Sequence, residues 1–210
     1  MALDKNFYIR RGLSVGTAGE VIDSSGNWVG NAIGGGGATS LNDLSDVIAD
    51  SASGTSLSLG IGSGALANDD ASNNNHIAIG YNALNASTQG FANIAIGNNS
   101  LCTTTNSQNN IGIGNSTLAN VVGGGKNIAI GSSAGNDITS GSGAVLIGEQ
   151  AGSNGTSLSN SIFIGCMAGR QSTSFSELGI GQCALYSNKC PQQLAVGRRA
   201  LKCNTTGLCN

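Results

Sequence analysis

Charge, aromatic rings and long apolar runs are all scarce in this chain. Charged residues make up 10% of the 210 positions, where about 25% is usual. With a formal net charge of only −2, no nucleic-acid partner is expected. Aromatic residues are 4%, with a single tryptophan, too few to fill a thick globular core. No run of about 18 apolar residues occurs, so no membrane-spanning helix is expected and no membrane insertion. The opening residues "MALDKNFYIRRG" lack the apolar stretch of a secretory leader. Six cysteines stand at 102, 166, 183, 190, 203 and 209, none paired as CxxC, and the one histidine, His76, is remote from most of them. A zinc site is therefore not expected. Without an export signal, free thiols are the expectation over a disulfide framework. Disorder fits no better, because 39% of the residues are hydrophobic.

What the chain has in abundance is glycine, 34 residues in all, and a repeat. "HIAIGYNAL" at 76–84, "NIAIGNNSL" at 93–101 and "NIAIGSSAG" at 127–135 are near copies of one phrase. Aligned on the glycine of each "IG" or "VG", the copies fall at Gly62, Gly80, Gly97, Gly114, Gly131, Gly148, Gly165, Gly181 and Gly197, spaced by 16 to 18 residues. A steady period of this length points to a solenoid in which each repeat is one coil.

Three residues before each glycine stands an aliphatic, and directly before it stand eight isoleucines and Val196. Positions two apart on a strand share a face. We therefore expect a short strand in each coil, with the core made by pairs such as Ile77 and Ile79, Ile94 and Ile96, Ile111 and Ile113, Ile128 and Ile130, and Ile162 and Ile164. The residue between them is mostly small (Ala78, Ala95, Gly112, Ala129), as though another backbone lies close to that face. The glycine is expected to turn a corner that a Cβ would obstruct. After it come two variable polar residues and then Ala, Ser or Thr followed by Leu or Gly, which read as a second short strand. One such coil cannot stand alone, and each must supply its neighbour's hydrogen-bond partners. Eight inter-coil steps of roughly 4.8 Å give a rod section about 40 Å long. The expected fold is thus all-β, a parallel β-solenoid of nine coils.

Outside the repeats, residues 6–30 read as alternating strands and turns, with Ser24, Ser25, Gly26 and Asn27 as a hairpin tip. Phe7, Tyr8 and Trp28, three of the chain's eight aromatics, sit there. Residues 31–56, with the run "GGGG" at 34–37, read as a flexible linker. The repeats occupy 57–210, and "NTTGLCN" at the end matches the loop before a fresh corner, so we expect the chain as given to stop in mid-coil.

Chemical sites are hard to find. The glycine run 34–37 and "GGGKN" at 123–127 lack the GK[ST] of a phosphate-binding loop. Asp43, Asp46 and Asp50 lack the spacing and glutamate of a calcium loop. Asp69, Asp70, Asp137, Glu149 and Glu177 occupy unrelated repeat positions, which gives no carboxylate pair for glycoside cleavage. Regular Thr-x-Thr rows, as an ice-binding face would need, are absent. His76 fills the slot held elsewhere by Asn93, Asn110 and Asn127 and reads as a polar residue at a coil edge. Arg198, Arg199 and Lys202 form a basic cluster, and six of the nine cationic residues lie beyond residue 120. A solvated tip and a contact for an acidic glycan or another protein are both open. We expect no enzyme and no cofactor.

"NIAIGSSAG", "NHIAIGYNAL" and "NNIGIGNSTL" resemble the "N-x-A-I-G-x-x-A-L" repeats of trimeric autotransporter adhesin heads, which recur in fibre proteins of bacteriophages and viruses. The resemblance implies a left-handed parallel β-roll with three chains packed around one axis. The segments at 6–30 and "LNDLSDVIAD" at 41–50 are similar to parts of phage tail and fibre proteins, including those of cyanophage-like phages. The resemblance therefore implies a homotrimeric virion fibre made in the host cytoplasm. Residues 1–30 would seat it on other virion proteins, with Phe7, Tyr8 and Trp28 as anchor candidates. The alternative is an adhesin whose repeat surface itself binds a host glycan, with Phe91 and Phe175 as the few ring platforms.

Overall fold

In the computed structural model, residues 13–14, 20–22, 47–49, 58–69 and 74–205 are described. Two compact units divide the chain, Met1–Ser45 and Asp46–Asn210. In the first, β1 (Leu13–Ser14) and β2 (Glu20–Ile22) form an antiparallel pair with Leu13 opposite Ile22 and a shift of register before Ser14. The expected hairpin tip at 24–27 and the anchor candidates Phe7, Tyr8 and Trp28 lie outside the described residues.

The second unit is the solenoid. Among the described residues there is no helix, and the protein is all-β. One three-residue strand opens each coil: β4 (Leu59–Ile61), β5 (Ile77–Ile79), β6 (Ile94–Ile96), β7 (Ile111–Ile113), β8 (Ile128–Ile130), β9 (Val145–Ile147), β10 (Ile162–Ile164), β11 (Leu178–Ile180) and β12 (Leu194–Val196). All nine lie parallel in sequence order, and like positions pair with like, as in Ile111 opposite Ile128. Strand β3 (Val47–Ala49) pairs antiparallel with β4, so part of the segment read as a flexible linker is built into the sheet.

The period and the strands are as expected, but the two faces are reversed. The middle residue of each strand points into the coil: Ala78, Ala95, Ala129, Leu146 and Phe163 are fully buried. The flanking aliphatics face outward. Ile77, Ile79, Ile94, Ile96, Ile111, Ile113, Ile128, Ile130, Ile162 and Ile164, expected as the core, are half-buried or exposed, with Ile77 at 37% and Ile130 at 38%. The reason is the thinness of the coil. The gap between its walls takes one row of side chains from the sheet and one from the opposite wall, and no branched pair fits there.

That opposite wall is not the second strand expected from "Ala-Leu". It is a hydrogen-bonded turn: Ala134 N–H donates to the Gly131 carbonyl at 3.2 Å, and Ile138 N–H to Gly135 at 3.1 Å. The turn also bonds its neighbours, as Leu101 N–H to Thr117 O at 2.9 Å and Asn99 N–H to Tyr81 O at 2.8 Å. Asn99 (φ 51°) and Leu101 (φ 52°) are left-handed, a conformation costing a non-glycine residue roughly 1–2 kcal/mol. The repeat's alternation of Leu with Gly at this position now has a cause in volume. Where the strand contributes Ala95 or Gly112, the turn contributes Leu101 or Leu118. Where the strand contributes Leu146 or Phe163, the turn carries Gly152 or Gly169, and a Cβ at Gly152 would stand 2.9 Å from Leu146 and one at Gly169 would enter the Phe163 ring. The exception is the coil of Ala129 and Gly135, both small, where Leu118, Leu146 and Ile138 fill the space beside Gly135.

The nine repeat glycines do turn the corner, all at φ between 117° and 135°. At Gly131 (φ 126°) a Cβ would lie 2.7 Å from the carbonyl of Gly148, one coil on.

Candidate functional site

Three surfaces could carry function: the corner lining inside the coil, the outer face of the sheet and the outer face of the turns. The corner before each strand holds a buried polar ladder. Asn93, Asn110 and Asn127 are completely buried. Asn93 Oδ1 accepts the Asn110 N–H at 2.9 Å, Asn110 Oδ1 accepts the Asn127 N–H at 3.1 Å, and Asn127 Oδ1 accepts the Ala144 N–H at 2.9 Å. Their Nδ2 atoms donate to loop carbonyls of Ser107 (2.9 Å), Gly124 (3.2 Å) and Gly141 (2.8 Å). Each side-chain amide thus ties a strand start to the neighbouring coil and closes a loop, which satisfies these buried amides.

His76 belongs to this ladder and is fully buried, not at an edge. Its Nδ1 accepts the Asn93 N–H at 3.2 Å and its Nε2 pairs with Ser87 Oγ at 3.0 Å. That network assigns the neutral tautomer protonated at Nε2. Toward the other end, Glu177 takes the same slot. Its N–H donates to Ser161 Oγ at 3.3 Å, and its carboxyl receives Ser172 and Asn188. Burial pushes its pKa above the usual carboxylate range, and the two hydrogen bonds draw it partly back.

The outer sheet face presents two parallel rows of aliphatics, nine in each, running along the sheet from Leu59 and Ile61 to Leu194 and Val196. No polar side chain interrupts either row.

The outer turn face changes character along its length. At the two exposed positions after each corner and the two that follow the buried pair, the first four coils carry no charge. The fifth and sixth carry Asp137 and Glu149, and the last three carry Arg170, Arg198, Arg199 and Lys202. Arg170, Tyr186 and Lys202 occupy one repeat position on successive coils. The guanidinium lies 5.9 Å and the ammonium 5.6 Å from the Tyr186 ring centre, and Arg170 Nη1 donates to the Tyr186 hydroxyl at 2.8 Å. Arg198 Nε donates to Gln182 Oε1 at 3.1 Å, and Ser187 Oγ to Gln171 Oε1 at 2.8 Å.

The remaining candidates fall apart in space. Phe91 and Phe175 are 44% and 54% exposed, but five coils, about 24 Å, separate them, so they form no joint platform. Gly124 and Gly125 serve the loop, one accepting from Asn110 and the other donating its N–H to Ser142 Oγ. The glycine run 34–37 and Asp43, Asp46, Asp50 and Asp70 lie outside the described residues. Among the described residues, no three His, Cys, Asp or Glu side chains converge as metal ligands. Cys102, Cys166, Cys183, Cys190 and Cys203 are free thiols, and burial pushes the Cys102 thiol above its ordinary pKa. No protein-family model, curated protein or solved structure matches the chain. Sequence reasoning missed the ladder as a unit. Its signal was the polar residue recurring four before the corner glycine in every coil but the one with Ala144.

Proposed function

We propose that the chain is a structural fibre rod of a phage-like virion, assembled as a homotrimer through the aliphatic face of its sheet and seated on the particle by residues 1–30. The observation that carries this reading is the outward position of the isoleucine rows. An uninterrupted apolar stripe along a solenoid is an interaction face rather than a solvated one. Ile77, Ile130, Ile162 and Ile180 keep 36–38% of their surface in water, and burying such a remainder is worth about 0.5–1 kcal/mol per side chain. A second or third copy supplies a stripe of the same length and spacing, so like rows meet like rows along the rod. The number three rests on the resemblance to trimeric repeat heads. A rod of this kind holds host-recognising parts away from the particle, and its chemistry is burial and spacing rather than catalysis.

Sedimentation equilibrium of the purified chain tests the assembly. The expected mass is three times 20.7 kDa, and Ile113→Lys with Ile130→Lys should give a folded monomer. A wild-type monomer would sink the proposal, and a dimer would leave the face but remove the trimer. Antibody labelling of the N-terminus on intact particles tests the seat: label buried at the particle surface supports it, and label at a free distal tip contradicts it.

A further inference from the structure

We infer that the turn face of the last three coils is a binding surface for an anionic polysaccharide. This does not rest on the fibre reading, because the surface belongs to a single chain and lies on a different face from the isoleucine rows.

Arg170, Arg198, Arg199 and Lys202 share one face of three adjacent coils, and the only carboxylate between residues 165 and 205 is the buried Glu177. Coils rise by about 4.8 Å, so all four cations fall within a stretch close to the Debye length of roughly 8 Å at physiological salt. They act as one field. A merely solvated surface has no need of this arrangement. Like charges on neighbouring coils repel, and here two cations stand against one tyrosine ring with nothing acidic beside them. The first four coils show that the same turn folds with no charge at all. The surrounding chain is net negative, so a polyanion is repelled elsewhere and held only here.

The kind of anion follows from what else is present. Single-stranded nucleic acid is gripped by open aromatic faces on which bases stack. Tyr186 offers none, because Arg170 and Lys202 both lie against its ring. Between the cations stand side-chain amides, with Gln182 holding Arg198. Amides matched to hydroxyls and cations matched to carboxylates or sulfates suit an acidic sugar chain. The cations also run along the rod in successive coils, as an extended polymer requires. Arg170 donates one N–H to Tyr186 and keeps others for the ligand.

The test is calorimetric titration of the purified chain with polygalacturonate, with neutral dextran, oligodeoxythymidylate and polyglutamate as comparisons. Polygalacturonate should bind, with an affinity that falls steadily as salt rises, and dextran should be silent. Arg198→Glu with Lys202→Glu should weaken binding at least tenfold, whereas Lys126→Glu on a distant loop should bind as the wild type does. Circular dichroism checks that the double variant is folded, and the milder pair Arg199→Gln with Lys202→Gln provides the same readout if it is not. Absence of polygalacturonate binding at low salt would overturn the inference, as would equal affinity of the charge-reversed and Lys126→Glu chains. Tighter binding of the oligonucleotide or of polyglutamate would overturn the assignment to a sugar polymer.

Discussion

Asn110→Ala is the sharpest probe of the interior. Asn110 is completely buried near the middle of the ladder. Removing its amide deletes the acceptor of the Asn127 N–H, 3.1 Å away, and the donors to Ser107 Oγ (3.1 Å) and Gly124 O (3.2 Å). The Gly124 carbonyl is half-exposed, and water can replace its lost donor. The Asn127 N–H has no such recourse, since its residue is fully buried. Leaving one buried donor unsatisfied costs about 1–3 kcal/mol. Opening at the start of β8 should therefore become roughly 5- to 150-fold more frequent. Hydrogen exchange followed by mass spectrometry on the peptide containing 127–131 reads this locally, which matters because stacked repeats need not unfold in one step. Asn115→Ala is the control. Asn115 is exposed and only accepts from Ser116 Oγ at 2.9 Å, so its loss should stay within about 0.5 kcal/mol. If the 127–131 peptide exchanges alike in both variants, the ladder does not hold the coils together and the reasoning fails.

Gly131→Ala should lower the thermal midpoint, because the new Cβ meets the Gly148 carbonyl at 2.7 Å and φ is 126°; backbone strain of this kind costs about 1–3 kcal/mol. Gly123→Ala, where a Cβ meets nothing, should be silent, and equal midpoints would refute the close-approach account. Glu177 has a folded pKa raised by burial, so the folded chain holds this proton more tightly than the unfolded one. Its contribution is most favourable below the unfolded pKa and is lost as pH rises through the folded value. Glu177→Gln should therefore stabilise the protein near neutral pH and flatten the fall in stability above the carboxylate range. Parallel stability-versus-pH curves for the two chains would show that Glu177 does not titrate in this window.

The period, the strand in each coil and the glycine corners were legible because each depends on local residue type. Ile-x-Ile-Gly fixes two outward bonds and one inward bond per strand, but alternation alone is symmetric and does not say which side is wet. The habit of placing the larger apolar residues inside failed here, since the walls are too close for Ile128 and Ile130. The corrective signal was present. Gly112 answers Leu118 and Phe163 answers Gly169, and residues whose sizes trade off in this way share a space. The left-handed turn at Asn99 and Leu101 left no mark, because leucine is a poor advertisement for positive φ. The basic face was visible only as the local cluster Arg198, Arg199 and Lys202, without Arg170. Folding was needed to put Arg170 and Lys202, 32 residues apart in number, on one ring.

The corner glycines are bound to each other as well as to their own dihedral angles. The space a Cβ would need at Gly148 is filled by the carbonyl of Gly165, and at Gly165 by that of Gly181. The corner letters from Gly62 to Gly181 are therefore locked, since a side chain at any of them collides with the next storey. Storeys themselves are not. Removing or duplicating one whole coil sets an identical glycine under an identical carbonyl and, between Asn93 and Asn127, an asparagine under an asparagine. The molecule is rigid toward single substitutions at its corners and permissive toward gain or loss of complete units. Its length can drift by steps of about 4.8 Å while its cross-section stays fixed, the property of a ruler whose divisions are hard and whose end is free.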